Sequence, residues 1–214
     1  MVLAPLGLVA FSLSHSTLSW SEPRHLHDAG LDEWIQHLTN IRGRWLAAHL
    51  GGVALFPLIG MTIWWMLPPR RIVSNISKAA LVVYMPLYIA VDAVLGIGSS
   101  ILIEYRRGLD ASSKSGADGA IEALFFAPSA IDWFDQGASI AFEFAAVTAA
   151  LALWRDYGWR VSVPLAAAGY VLAQSHFPPY GAIAGILLGI AVWQYLVLER
   201  RVGGASGNAA GASQ

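Results

Sequence analysis

Apolar residues in this chain come in long, nearly uncharged runs rather than in alternating or one-faced patterns. Six such stretches lie at approximately 2–20, 45–67, 79–103, 136–154, 158–175 and 181–198. A hydrocarbon core about 30 Å thick takes about 20 helical residues. Each run is close to that length, too long for a strand, and rich in Ala, Leu and Gly. The pattern predicts an all-α integral membrane bundle of about six transmembrane helices over residues 1–202. The Gly/Ala/Ser tail at 203–214 has no periodicity and is expected to be disordered.

The polar intervals refine this picture. In 31–41, Leu31, Trp34, Ile35, Leu38 and Ile41 share one helical face, which predicts a short interfacial outer helix lying on the membrane and leading into the second span. Segment 121–134 is expected to dip into the interface before the fourth span, and 109–119 to form a flexible loop. The first run has no Lys or Arg before Arg24, and its Ser-Trp-Ser-Glu end makes a poor cleavage site, so a retained helix is expected rather than a secretory signal.

Charge then orients the bundle. Segment 68–78 carries Arg70, Arg71 and Lys78 with no acid, whereas 21–44 and 104–135 mix both signs. The positive-inside rule counts Lys and Arg, and it places the short basic loop and both termini in the cytoplasm. Trp20, Trp45, Trp133 and Tyr180 are then expected at the outer interface, and Trp64, Trp65, Trp154, Trp159 and Trp193 at the inner one.

Composition removes whole classes of function. Only 13% of residues are charged, against 56% apolar, and the net charge of −1 gives no reason to expect a nucleic-acid partner. The chain has no cysteine, which excludes thiolate metal sites, iron–sulfur clusters, disulfides and a thiol nucleophile. No HExxH, Walker A or GxSxG motif is present, and no nucleophile–base arrangement can be named.

Small residues at helical spacing predict close helix packing. They are Gly181, Gly185 and Gly189 on the sixth run, and Ala138, Ala141, Ala145, Ala149 and Ala152 on the fourth. Ala48 with Gly52, and Gly96 with Ser100, extend the pattern to the second and third runs. Pro57, Pro86 and Pro164 are expected to kink or open their helices.

Four polar residues in these apolar surroundings need a reason. A charged side chain at the bilayer centre costs at least about 2.5 kcal/mol, so Asp92 and Glu143 must face the bundle interior. Asp92 shares a helical face with Gly96 and Ser99. His49 lies about one turn into the second run, and His176 at the end of the fifth. His49, His176 and Glu143, joined by His15, are expected to converge near one outward depth, with Asp92 somewhat deeper. Such a His49, Asp92, Glu143 and His176 pocket would suit a metal ion, a haem or a small polar ligand. The same residues also fit a small proton-coupled transporter with Asp92 as carrier. A non-catalytic assembly subunit, packing by its glycine and alanine stripes in a homo-oligomer or against a membrane-protein partner, is a third reading.

The run from His37 through Arg44, Trp45 and Ala48-His49, with the stretch Asp92-Ala-Val-Leu-Gly96-Ile-Gly98, resembles a pattern in uncharacterised small bacterial polytopic membrane proteins. That resemblance implies a bacterial inner-membrane location and carries no activity. Intramembrane zinc hydrolases of the ceramidase and adiponectin-receptor type are similar in pairing a His and an Asp on early spans. Their late HxxxH motif is missing, because Tyr180 stands four residues after His176, and their activity is not carried over.

Overall fold

The structure, a computed structural model, describes residues 1–14, 30–125 and 130–211. It is helical throughout, with no strand among the described residues. In chain order, α1 is Leu3–Ser14, α2 Leu31–Met66 and α3 Ile72–Val91. A π-helical segment, Asp92–Gly98, joins α3 to α4, Ser99–Arg107. Then follow α5 Lys114–Phe125, α6 Ala130–Tyr157, α7 Trp159–Gln174 and α8 Tyr180–Gly211.

Four helical stretches are long and apolar enough to cross a membrane: Leu31–Met66, Ile72–Arg107, Ile131–Tyr157 and Tyr180–Arg201. Of the other two expected spans, α7 has 16 residues and α1 has 12. Both are shorter than the about 20 residues that a hydrocarbon core takes. Successive helices α1, α2, α3, α6, α7 and α8 are neighbours, and α8 returns to α1, which closes a six-membered ring.

Glycine and alanine decide how closely the ring packs, because backbones approach only where no side chain intervenes. On α8, Gly181 sits against Ser12 and the His176 carbonyl, Gly185 against Pro5 and Val9, and Gly189 against Pro5. The whole predicted glycine stripe therefore receives α1. Ala138, Ala145, Ala149 and Ala152 are buried on α6. There the Ser77 hydroxyl of α3 donates to the Ala145 carbonyl at 2.8 Å. Gly169 of α7 lies directly against Ala146. At one end of the ring, Arg71 donates to the Ala152 carbonyl at 2.7 Å and pairs with Asp156 at 2.7 Å. This cation pins the turn between α2 and α3 to the last turns of α6, where helix carbonyls favour positive charge.

The opposite end departs from the expectation. Segment 31–41 is not a separate helix on a membrane surface but the first three turns of α2. Between Leu38 and Trp45 no proline interrupts the helix. The apolar face also finds a better partner than headgroups. Ile35, Leu38 and Trp45 form a buried cluster with Ile103 of α4 and Ile121 of α5. The α2 rod of 36 residues is about 54 Å long at the usual helical rise, well beyond the thickness of a hydrocarbon core. Its overhang, α4 and α5 make a helical cap on this end of the ring. Ion pairs stitch the cap: Arg106 with Asp118, and Glu104 with both Arg42 and Arg107 at 3.1 Å.

Residues 109–119 are likewise half helix. Asp110 accepts from the Ser112 hydroxyl at 2.7 Å and the Ser113 amide at 2.9 Å, forming the turn from which α5 starts at Lys114. These bonds favour the ionised form and hold the Asp110 carboxyl below its ordinary pKa. Segment 121–134 divides between the end of α5, the start of α6 and residues 126–129, which lie outside the described residues. Trp45, expected as an interfacial marker, is buried instead beneath the cap.

Candidate functional site

The most polar point of the interior lies just under the cap, where α2 meets the π segment. His49 is 3% exposed and Asp92 2%. Each is placed by a backbone feature of the opposing element. A Cβ on Gly96 would overlap the ring of His49, so only glycine at 96 lets the imidazole lie on the π segment. A Cβ on Gly52 would likewise overlap Asp92 Oδ2 and meet Phe11 Cε2 at 3.1 Å. The two glycines thus form reciprocal seats for the two polar side chains. Along the π segment and the first turn of α4, Asp92, Gly96, Ser99 and Ser100 all face inward. Such insertions recur at functional sites, because they re-aim side chains and loosen the helical hydrogen-bond ladder.

Hydrogen bonding fixes the chemistry of His49. Its Nδ1 lies 2.8 Å from the Trp45 carbonyl. A carbonyl can only accept, so Nδ1 carries the hydrogen and Nε2 holds the lone pair when the ring is neutral. Nε2 faces Asp92 Oδ1 at 3.9 Å. That distance exceeds a hydrogen bond, so the two groups are poised rather than joined. Asp92 Oδ2 has no hydrogen-bond partner among the described residues. An uncompensated charge is expensive in such surroundings. The pair is therefore cheapest at zero net charge, holding one proton between Asp92 and Nε2 in addition to the fixed Nδ1–H.

A second layer holds this pair in place. The Trp45 indole stacks near His49, with centroids 4.3 Å apart, and donates through Nε1 to Ser99 Oγ at 3.2 Å. Ser99 in turn donates to the Leu95 carbonyl within the π segment. One helical turn before Asp92, the Tyr88 hydroxyl meets His176 Nδ1 at 2.7 Å. The Tyr88 ring lies on Phe56, with centroids 3.8 Å apart. Phe11 of α1 separates the two histidines, its centroid 6.3 Å from that of His49 and 5.9 Å from that of His176. Asp135 of α6 is near enough to act electrostatically on Asp92 and Tyr88.

The four residues singled out from sequence are thus only partly brought together. His49 and Asp92 face each other where α2 meets the π segment. His176 sits beyond Phe11 in the turn between α7 and α8. Glu143 is half-buried on the seam between α6 and α7, where Gly169 backs onto its main chain. No group of three or more His, Asp or Glu side chains placed to share a metal ion is found among the described residues. His15, His25 and His27 lie outside those residues.

Sequence reasoning missed Phe11, Tyr88 and Asp135, and it read Trp45 only as a membrane marker. Two signals were present: Trp45 precedes His49 by four residues, and Tyr88 precedes Asp92 by four. On a helix that spacing puts each aromatic beside its polar neighbour.

No protein-family model, curated protein or solved structure matches the chain. The functional reading rests on the geometry of the site.

Proposed function

We propose that this is a six-span bacterial inner-membrane protein with both termini cytoplasmic, acting as a small proton-coupled transporter. Its proton-binding site is the Asp92–His49 pair. The observation that carries the reading is the arrangement of that pair: a buried acid and a buried base face each other at 3.9 Å, and the acid keeps one oxygen unbonded. A carboxyl used only for packing would be expected to have its hydrogen bonds satisfied. Six spans are supported by the ring, in which α1 and α7 fill places between longer neighbours. The orientation follows from the acid-free basic loop at 68–78 and puts the cap outside.

A carrier of this kind must take up and release a proton at Asp92. Acid-minus-alkaline infrared difference spectra of the protein in lipid vesicles are expected to contain a carboxyl band that Asp92→Asn removes. Identical spectra from the two proteins would exclude the reading. Metal binding is the second reading. It keeps two of its four expected ligands within reach of each other, and predicts a stoichiometric metal that Asp92→Asn releases, measured by elemental analysis.

A further inference from the structure

The Asp92–His49 pair is closed off by protein on every described side, yet a proton carrier must reach water. One seam offers a way. Between α1 and α2 lies a groove of about 400 Å³, with Ser14 and Arg44 at one end, Ala47 and Gly51 along the α2 wall, and Phe11 and Ala48 at its base. Ala47 and Gly51 are exposed to it, and a Cβ on Gly51 would meet nothing within 4 Å. Behind the base, the edge of the Phe11 ring and Asp92 Oδ2 both lie over Gly52. Among the described residues, the Phe11 ring lines the groove and lies beside the unbonded oxygen of the acid.

The two sides of α1 are held differently. Towards α8 its backbone is in close contact: a Cβ on Gly185 would stand 3.0 Å from the Pro5 carbonyl oxygen and 3.1 Å from the Val9 amide nitrogen. Towards α2 it is held by side chains, with Leu55 lying over Gly7. The seam that can open without breaking backbone packing is the one between α1 and α2.

We infer that this groove is the water path to Asp92 and that Phe11 is its gate. The inference rests on the proton-carrier reading and gives its site an entrance. With the gate open, water in the groove carries a hydronium ion to the ionised carboxylate. An O–H bond forms at Oδ2, and water is left behind; release is the reverse. Among the described residues, the charged and titratable groups along the route are Arg44 at its mouth, His49 and Asp92 at its end, Tyr88 with His176 beyond Phe11, Tyr84 one turn before Tyr88, and Asp135 from α6.

The cysteine-free chain allows a direct test in vesicles. Gly51→Cys places a thiol in the groove, and Leu50→Cys places one on the neighbouring exposed face of α2, which lies in lipid on this reading. A cationic methanethiosulfonate reagent reacts with the thiolate, which needs water to form. Gly51→Cys should therefore be labelled at least about tenfold faster. Labelled Gly51→Cys should then exchange the Asp92 proton more slowly, read from the decay of its infrared band in heavy water, and Phe11→Ala should exchange it faster than the parent. Equal labelling of the two cysteines, or full labelling of Gly51→Cys with exchange unchanged, would overturn the inference. An Asp92 that takes up no proton in the parent protein defeats the carrier reading, whereas the labelling contrast decides by itself whether the groove holds water.

Discussion

The seam between α3 and α6 and the seam between α2 and the π segment are both lined with small residues, but they use the space differently. Along α6 the alanines let two helices come together, and two polar side chains of the facing segment bond to it directly, although Ser74 Oγ and Tyr84 Oη have no partner among the described residues. Ser77 bonds the Ala145 carbonyl, and Arg71 bonds the Ala152 carbonyl and Asp156. At the π segment, Gly96 and Gly52 admit side chains rather than a helix. Those side chains, His49 and Asp92, stop short of bonding each other. The first seam is closed by direct bonds between helices, and the second holds the group that, on the proposed reading, changes its proton count. A stripe of small residues therefore has no single meaning. What occupies the space it leaves decides between adhesion and chemistry.

Substitutions should separate the two seams, and the largest effect is expected at Gly96. Gly96→Ala drives a methyl into the His49 ring, which cannot swing away because its own Cβ lies in contact. We expect a loss of about 1–3 kcal/mol of stability, as overpacked cores show, seen as a lower unfolding temperature in detergent. Proton uptake at Asp92 should fail with it. Asp92→Asn should abolish uptake while changing stability by less than about 1 kcal/mol, since the carboxyl holds no hydrogen bond to lose. A Tm that collapses in this variant would make Asp92 a structural residue. In the other seam the pattern inverts. Ser77→Ala should weaken the fold by about 1 kcal/mol through its lost hydrogen bond and leave proton uptake intact. The smallest effect belongs to the cap, where Arg42→Ala breaks a partly exposed pair and should shift stability by under about 1 kcal/mol. A larger shift there would mean that the cap supports the ring beneath it.

Much of the helical architecture can be read from the apolar runs, because burying backbone in lipid leaves few alternatives to a helix. The Gly181, Gly185 and Gly189 stripe and the α6 alanines sit where helices meet, as their spacing implies. The fusion of 31–41 into α2 was not legible, since an apolar helical face reads the same whether it meets headgroups or the Ile103–Ile121 cluster. The π segment was equally hidden. Its residues, Asp92-Ala-Val-Leu-Gly-Ile-Gly, carry no pattern that separates π from α.

The site was legible to the extent that charge in an apolar run is legible. Asp92 and His49 stood out, and they meet. Glu143 stood out equally and does not join them, because its depth on α6 could be judged from sequence but not the direction in which that helix faces. Phe11 and Tyr88 were invisible as site residues, since an aromatic in an apolar run carries no mark of the polar group that it touches.

The central claim is that Asp92 and His49 Nε2 together hold one titrating proton, with Nδ1 tied to the Trp45 carbonyl. Nitrogen NMR of histidine-labelled protein in lipid, with His49 assigned by its substitution, reads both ring nitrogens directly. The account predicts an Nδ1-protonated neutral ring whose Nε2 signal moves on acidification in the parent and stays fixed in Asp92→Asn. A neutral ring protonated at Nε2, or an Nε2 shift that persists without Asp92, would contradict it.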